Sequence, residues 1–245
     1  MGRKIAVVLF NLGGPDSAEA VRPFLKNLFS DPAIIQTPAI VRWGLSRFIS
    51  RTRAPSVIKN YAMMDAGGGS PILPETEKQA AAVESELNVA LPDDNVKTFV
   101  AMRYWHPFVK DVANDVLDWG ADEVVLLPLY PQFSTTTTGS SLEEWAKCYR
   151  GSSKAVCCYP FEENLISAHV EQIMDAHQRA GNPENPVLLM SAHGLPEKII
   201  EAGDPYQWQC ETMGAMLAAR LPADWDVIGC YQSRVGRLGT ELKSD

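Results

Sequence analysis

His193 closes an apolar run, Val187 to Met190, and is followed by Gly194 and Pro196, which delay any helix. A neutral imidazole, with an unperturbed pKa near about 6.5, can accept a proton or ligate a metal at neutral pH. A histidine at the mouth of a strand is a candidate for either task, and a purely structural histidine is the competing reading. The other histidines offer less. His106 precedes Pro107 at a helix start and reads as part of its cap, while His169 and His177 share one helix and read as solvated rather than metal-bound.

Four segments of unusual content follow predicted strands: Asn11 to Ser17, Arg103-Tyr104-Trp105-His106-Pro107, Tyr130 to Ser141, and Ser191 to Pro196. Asn11-Leu12-Gly13-Gly14 lacks the spacing of a dinucleotide fingerprint and reads as a tight turn with close backbone approach. Gly67-Gly68-Gly69-Ser70-Pro71 lacks the lysine of a phosphate loop. Thr135 to Thr138 could hold hydroxyls toward a ligand or end in a helix cap, and the cap is the simpler reading.

These segments need elements to position them, and hydrophobic periodicity supplies the elements. Lys4 to Phe10 is a continuous apolar run, the pattern of a strand buried on both faces of a parallel sheet. A helix capped by Asp16 or Ser17 runs to Phe29. Further helices are predicted over Glu75 to Val89, Pro107 to Trp119 (stopped by Gly120), the stretch ending near Tyr149, and Leu165 to Arg179. Strands are predicted at Val96 to Ala101, Glu123 to Leu127, Lys154 to Cys158, Val187 to Ala192 and near Asp226. Alternating strands and helices predict an α/β chain of two doubly wound parallel-sheet halves, residues 1–150 and 151–245, parting at Arg150-Gly151-Ser152-Ser153. Ligands then bind at the carboxyl ends of the strands, where the four segments lie.

With 46% hydrophobic and 21% charged residues, the 245-residue chain is ordinary globular protein, and its net charge of −8 argues against a nucleic-acid partner. One stretch departs from that balance. Between Asp31 and Asp65, Arg42, Arg47, Arg51, Arg53 and Lys59 occur without an acidic residue. There Trp43, Leu45, Phe48 and Ile49 interleave with the arginines, either as a face for anionic lipid, making peripheral membrane contact, or as a solvated helix over the core. The short apolar N-terminus is neither a signal peptide nor a membrane span, so a cytoplasmic location is expected. Five cysteines without C-x-x-C spacing are expected to be reduced and mostly buried.

Seven motifs in order resemble the ferrochelatases: Asn11-Leu12-Gly13-Gly14-Pro15; Gly67-Gly68-Gly69-Ser70-Pro71; Arg103-Tyr104-Trp105-His106-Pro107; Tyr130-Pro131-Gln132-Phe133-Ser134 with Thr137-Thr138-Gly139-Ser140-Ser141; Ser191-Ala192-His193-Gly194-Leu195-Pro196; Gly203-Asp204-Pro205-Tyr206; and Tyr231-Gln232-Ser233-Arg234-Val235-Gly236. The resemblance covers about Ile5 to Gly236, the N-terminal two-thirds to three-quarters of the family. It implies a lyase that inserts ferrous iron into protoporphyrin IX, the last step of heme synthesis, in a cleft between the two halves of a monomer or homodimer. His193 falls on the family's metal-site and proton-accepting histidine. Arg53, Tyr61 and Ser70 match porphyrin-contacting positions, Arg103 and Tyr104 match a cleft-lining pair, and Leu12 sits where the family places a residue beside the macrocycle.

The residue types suit that chemistry, since a porphyrin is an apolar plate with two propionates and metallation removes two pyrrole protons. No cofactor is expected beyond iron as substrate. Animal ferrochelatases hold an iron–sulfur cluster partly through a cysteine where this chain has Thr135, so such a cluster is not expected. After Gly236 the family continues with a proline, a strand, a helix and a glutamate opposite the histidine, whereas this sequence has Arg237 to Asp245, in which Glu241 matches nothing. The expectation is a second half cut short and little turnover. A non-catalytic porphyrin- and metal-binding fragment is the alternative.

Overall fold

The computed structural model describes residues 2–64 and 68–233. Gly67 and the segment Arg234 to Asp245, including Glu241 and the last three residues of the seventh motif, lie outside the described residues. The chain divides into two compact units, Met1–Tyr130 with Thr135–Cys157, and Pro131–Ser134 with Cys158–Asp245.

The first unit is built on β1 (Lys4–Asn11), which pairs in parallel with β2 (Asn95–Met102) on one side and β3 (Glu123–Pro128) on the other. Its continuous apolar run is explained by burial on both faces. Ala6, Val8 and Phe10 pack toward α4 (Val109–Trp119) and α5 (Ser140–Cys148), while Ile5, Val7 and Leu9 pack with Ala80 of α3 (Ile72–Ala90). A two-residue strand, β4 (Lys154–Ala155), completes the order β2-β1-β3-β4. The Lys154 strand was expected to open the second half. It pairs instead with Val125 and Leu126 of β3 and belongs to the first sheet, because a two-residue strand adds an edge to a sheet already formed nearby.

Two helices cover the rest of this unit. The helix expected from Asp16 or Ser17 starts later, as α1 (Val21–Ser30), since the Ser17 hydroxyl accepts the Ala20 N–H (3.3 Å) in a preceding turn. Against it packs α2 (Ala39–Ala62) through Ser46, Ser50 and Ala54, a seam of small residues at helical spacing. Ser46 and Ser50 return their hydroxyls to the carbonyls of Trp43 and Arg47 (both 3.1 Å), so the seam carries no unmet polar group. With the small residues inside, Ile40, Trp43 and Phe48 are left exposed at 87%, 61% and 65%.

Pro107 was expected in the first turn of α4. Its carbonyl instead accepts the Met102 N–H (2.7 Å), and the helix begins two residues on, at Val109. Phe108 precedes it without a side-chain cap, so His106 caps nothing and packs edge-on between the Trp105 and Phe108 rings. Gly120 ends α4 in the left-handed region (φ 71°).

The second unit has α6 (Glu163–Arg179), β5 (Val187–His193), α7 (Glu197–Glu201), α8 (Tyr206–Ala218) and β6 (Asp226–Gln232). β5 and β6 pair in parallel, from Val187 opposite Asp226 to His193 opposite Gln232. Ile166 of α6 meets Met213 and Leu217 of α8 in a small core to which Met190 of β5 adds. Val187, Leu189 and Ile228 are exposed. Among the described residues no two cysteines form a disulfide; Cys157 is exposed and the other four are half-buried, whereas mostly buried cysteines were expected. Among the described residues no helix is long and apolar enough to cross a membrane.

Candidate functional site

The carboxyl ends of β1 and β2 are stitched together by backbone. Arg103 N–H donates to the Asn11 carbonyl (2.9 Å) and Tyr104 N–H to the Leu12 carbonyl (3.0 Å), continuing the ladder past the strands. This crowding explains the two glycines after Leu12. A Cβ on Gly13, at φ 81°, would lie 3.1 Å from Met102 and Trp105, and one on Gly14 would lie 2.3 Å from the Ser70 hydroxyl. A loop residue also reaches this edge: Ser70 donates its N–H to the Pro15 carbonyl (2.7 Å), and its hydroxyl accepts the Ile72 N–H at the start of α3 (3.3 Å).

Around this junction the first unit gathers the six positions singled out for porphyrin. Leu12, Tyr61 and Tyr104 belong to one apolar cluster with Phe24, Leu25, Phe29 and Trp105. Ser70 hydrogen-bonds Tyr61, whose phenol burial nonetheless pushes upward in pKa. Arg103 lies over the Tyr104 ring (4.9 Å) and Arg53 over the Phe29 ring (6.0 Å). Among the described residues no carboxylate pairs with Arg53, so its charge is available to an anion.

Tyr104 is 1% exposed, and its hydroxyl is spent within the protein. It donates to Asp31 (2.7 Å), as do Arg103 through Nη2 (2.7 Å) and Ser140 (2.6 Å). Burial and the Asp31 charge raise the Tyr104 pKa well above the ordinary phenol range. Burial also pushes the Asp31 carboxyl upward. Hydrogen bonds from Ser140, Tyr104 and the Ala33 N–H, with the Arg103 charge, outweigh it and hold the group below the usual carboxylate value. Sequence reasoning passed over Asp31. Its one local signal is a carboxylate just after the last residue of a helix, against the dipole.

In the second unit His193 is the last residue of β5 and is exposed at the strand end, its ring only partly buried against its neighbours. That burial lowers its pKa, so the ring is neutral at pH 7 and carries a free lone pair. The backbone N–H of His193 donates to the Tyr206 hydroxyl (3.2 Å). Tyr206 is in turn set by Asp204, which accepts the Tyr206 N–H (3.0 Å) and the Ser134 hydroxyl (3.0 Å). Three motifs distant in sequence thus meet behind His193. Burial, with Cys210 adjacent, pushes the Tyr206 phenol up to about 12. A cavity of about 770 Å³ opens here, lined by His193, Tyr206, Cys210, Glu211, Met213 and Tyr231 among others. Tyr206 and Asp204 were visible only as a motif without roles.

Other candidates go elsewhere. His177 bonds the Pro183 carbonyl (3.1 Å) and stacks near Trp225. The threonine run forms a π-helical turn, Thr135–Gly139, leading into α5, and Gly139 at the cap position contributes no side-chain bond. Among the described residues no cluster of three His, Cys, Asp or Glu side chains could hold a metal by itself.

Residues 4–241 match the family model for ferrochelatase. The chain is 67% identical over 238 residues to a ferrochelatase of Hyphomonas neptunium, with 97% of this chain and 67% of the relative covered. It is 58% identical over 240 residues to a ferrochelatase of Caulobacter vibrioides, covering 97% of this chain and 69% of the relative. To a ferrochelatase of Pelagibacter ubique it is 46% identical over 241 residues, covering 96% and 69%. It therefore spans about two-thirds of the length of the curated relatives it matches.

Proposed function

The chain belongs to the ferrochelatase family, lyases that insert iron into porphyrin, and from that premise we propose that it inserts ferrous iron into protoporphyrin IX with His193 at the metal and proton-transfer step. The observation that carries the reading is the convergence of Leu12, Tyr61, Ser70, Arg103 and Tyr104 on one apolar junction of the first unit, with Arg53 beside it on Phe29. An apolar wall edged by an unpaired guanidinium suits a flat macrocycle bearing carboxylates.

Metallation replaces two pyrrole N–H bonds by bonds to iron and releases two protons. A neutral imidazole exposed at a strand end supports either acceptance of one of those protons or a bond to the incoming iron, and a lowered pKa favours the unprotonated form needed for both. Tyr206 holds the backbone of His193 at the strand end, which limits where the ring can swing. No resident cofactor enters this reading; iron is substrate.

Two measurements test it. Purified protein is titrated with protoporphyrin IX by absorbance, then assayed for iron insertion. Binding with insertion supports this reading, and His193→Ala should then lose at least about a hundredfold in insertion while porphyrin affinity stays within about threefold. Loss of porphyrin binding in that variant would contradict the role given to His193. A second reading, porphyrin binding without turnover, needs only the six porphyrin positions, all of which fall in the first unit. Binding with no insertion by the unaltered protein selects it.

We also propose that this cytoplasmic protein touches an anionic membrane surface through α2, on the strength of exposed Ile40, Trp43 and Phe48 set among Arg47 and Arg51. Co-sedimentation with vesicles containing phosphatidylserine should fall severalfold in Trp43→Ser/Phe48→Ser. Unchanged binding removes the surface from α2.

A further inference from the structure

Asp31 is the C-cap of α1, where a carboxylate faces the negative end of the helix dipole, and its side chain is 3% exposed. A buried charge in that place is unfavourable unless several donors compensate it. Four do. Oδ2 accepts from Arg103 Nη2 (2.7 Å), the Tyr104 hydroxyl (2.7 Å) and the Ser140 hydroxyl (2.6 Å), and Oδ1 accepts the Ala33 N–H (2.8 Å). Ser140 is the first residue of α5, so the carboxylate that opposes one helix dipole is favoured by the other.

The network does more than satisfy a charge. Arg103 Nε donates to the Ser140 oxygen (2.8 Å), so the guanidinium is gripped along one edge by Asp31 and Ser140 together. Among the described residues its Nη1 group has no protein partner, and it stays aimed by a fork whose other edge is fixed. The guanidinium also lies over the Tyr104 ring, and the backbone of both residues is bonded to Asn11 and Leu12. Holding Arg103 and Tyr104 therefore holds Leu12.

We propose that Asp31 is the positioning residue of the porphyrin-binding wall, setting the orientation of Arg103 and Tyr104 and through them the placement of Leu12. This rests on the porphyrin reading given above. Asp31 touches neither macrocycle nor iron. It acts by denying Arg103 its other rotamers, so that ordering the fork costs nothing at the moment of binding.

The test is absorbance titration with protoporphyrin IX of the full chain and of Asp31→Asn, Arg103→Ala, the double variant and Val116→Ala. Val116 is fully buried in the other core of the first unit, outside the network, and controls for lost stability. Asp31→Asn keeps size and one acceptor but removes the charge that gathers the donors. It should weaken binding about tenfold, while Val116→Ala binds like the unaltered chain. On top of Arg103→Ala, Asp31→Asn should add clearly less than its own effect, because the two share the Asp31–Arg103 bond and only the hold on Tyr104 is left to lose. If Asp31→Asn does not fold, Ser140→Ala reads the same network and should weaken binding about threefold. Asp31→Asn (or Ser140→Ala in its place) binding like the unaltered chain, its effect adding in full to that of Arg103→Ala, or an equal loss in Val116→Ala overturns the proposal. If the unaltered chain itself binds no porphyrin, the functional reading falls and the role of Asp31 with it.

Discussion

The two units use the same strand-and-helix grammar to different depth. In the first, β1 is flanked by strands on both sides and covered on both faces, and its functional loops are tied by backbone bonds and a buried carboxylate. In the second, two strands rest on a small core of Ile166, Met213 and Leu217, and β5 alternates between half-buried and exposed residues. The first unit has the fixed loops that holding a large rigid ligand, as proposed, would require. The second offers a single imidazole on a strand end, positioned by one tyrosine and a loop. On the proposed reading, the difference puts affinity and reactivity in different parts of the chain, so each can be broken separately.

The largest effect expected from that contrast is in the core. Phe10, fully buried and edge-on to Trp145 (5.8 Å), should cost about 3–5 kcal/mol on truncation to alanine. Urea unfolding followed by circular dichroism measures it. A cost below about 1 kcal/mol would show that the first unit is less tightly packed than its burial says.

A middle-sized effect separates the units by pH. His193 has a folded-state pKa below its unfolded value of about 6.5, so below that pH the unfolded chain binds more protons. The second unit keeps its stability above about pH 6.5 and loses part of it as pH falls toward the lowered folded value. Asp31 runs the other way in charge but the same way in pH. Its folded pKa lies below the unfolded value of about 3.9, so its contribution is present above that value and is lost only as pH falls through the lower one. Hydrogen exchange, corrected for intrinsic rates, should show β5 and α8 losing protection as pH falls below about 6.5 while β1 and α5 keep theirs. Simultaneous loss in both would remove His193 as the cause.

The smallest effect is on the open face. Leu189, 61% exposed, should tolerate alanine within about 0.5 kcal/mol. A loss of more than about 2 kcal/mol in the same urea experiment would mean that this face is covered in solution, and would narrow the contrast between the units.

Much of the fold was legible in the sequence because it is written in local periods. A strand buried on both faces must be apolar at every position, which marks β1, and a strand ending in His-Gly-x-Pro must release its histidine at the sheet edge, which marks His193. The ordered motifs carried the family. What periodicity could not decide was which face of α2 turns inward. Its large apolar residues suggested a buried or lipid face, but packing on α1 selects the small seam of Ser46, Ser50 and Ala54, because close helix approach is limited by side-chain bulk. Nor could it assign β4, since two residues carry no period of their own. Asp31 was hidden for the same reason on a larger scale. Its partners lie 72, 73 and 109 residues away, and only the folded chain brings those donors onto one oxygen. By itself, then, the sequence determined the order of the elements, the family and the place of His193 at a strand end. Tertiary structure alone decided which polar groups are spent holding the wall and which remain for the ligand, because that choice is made by contacts between segments that carry no mark of one another.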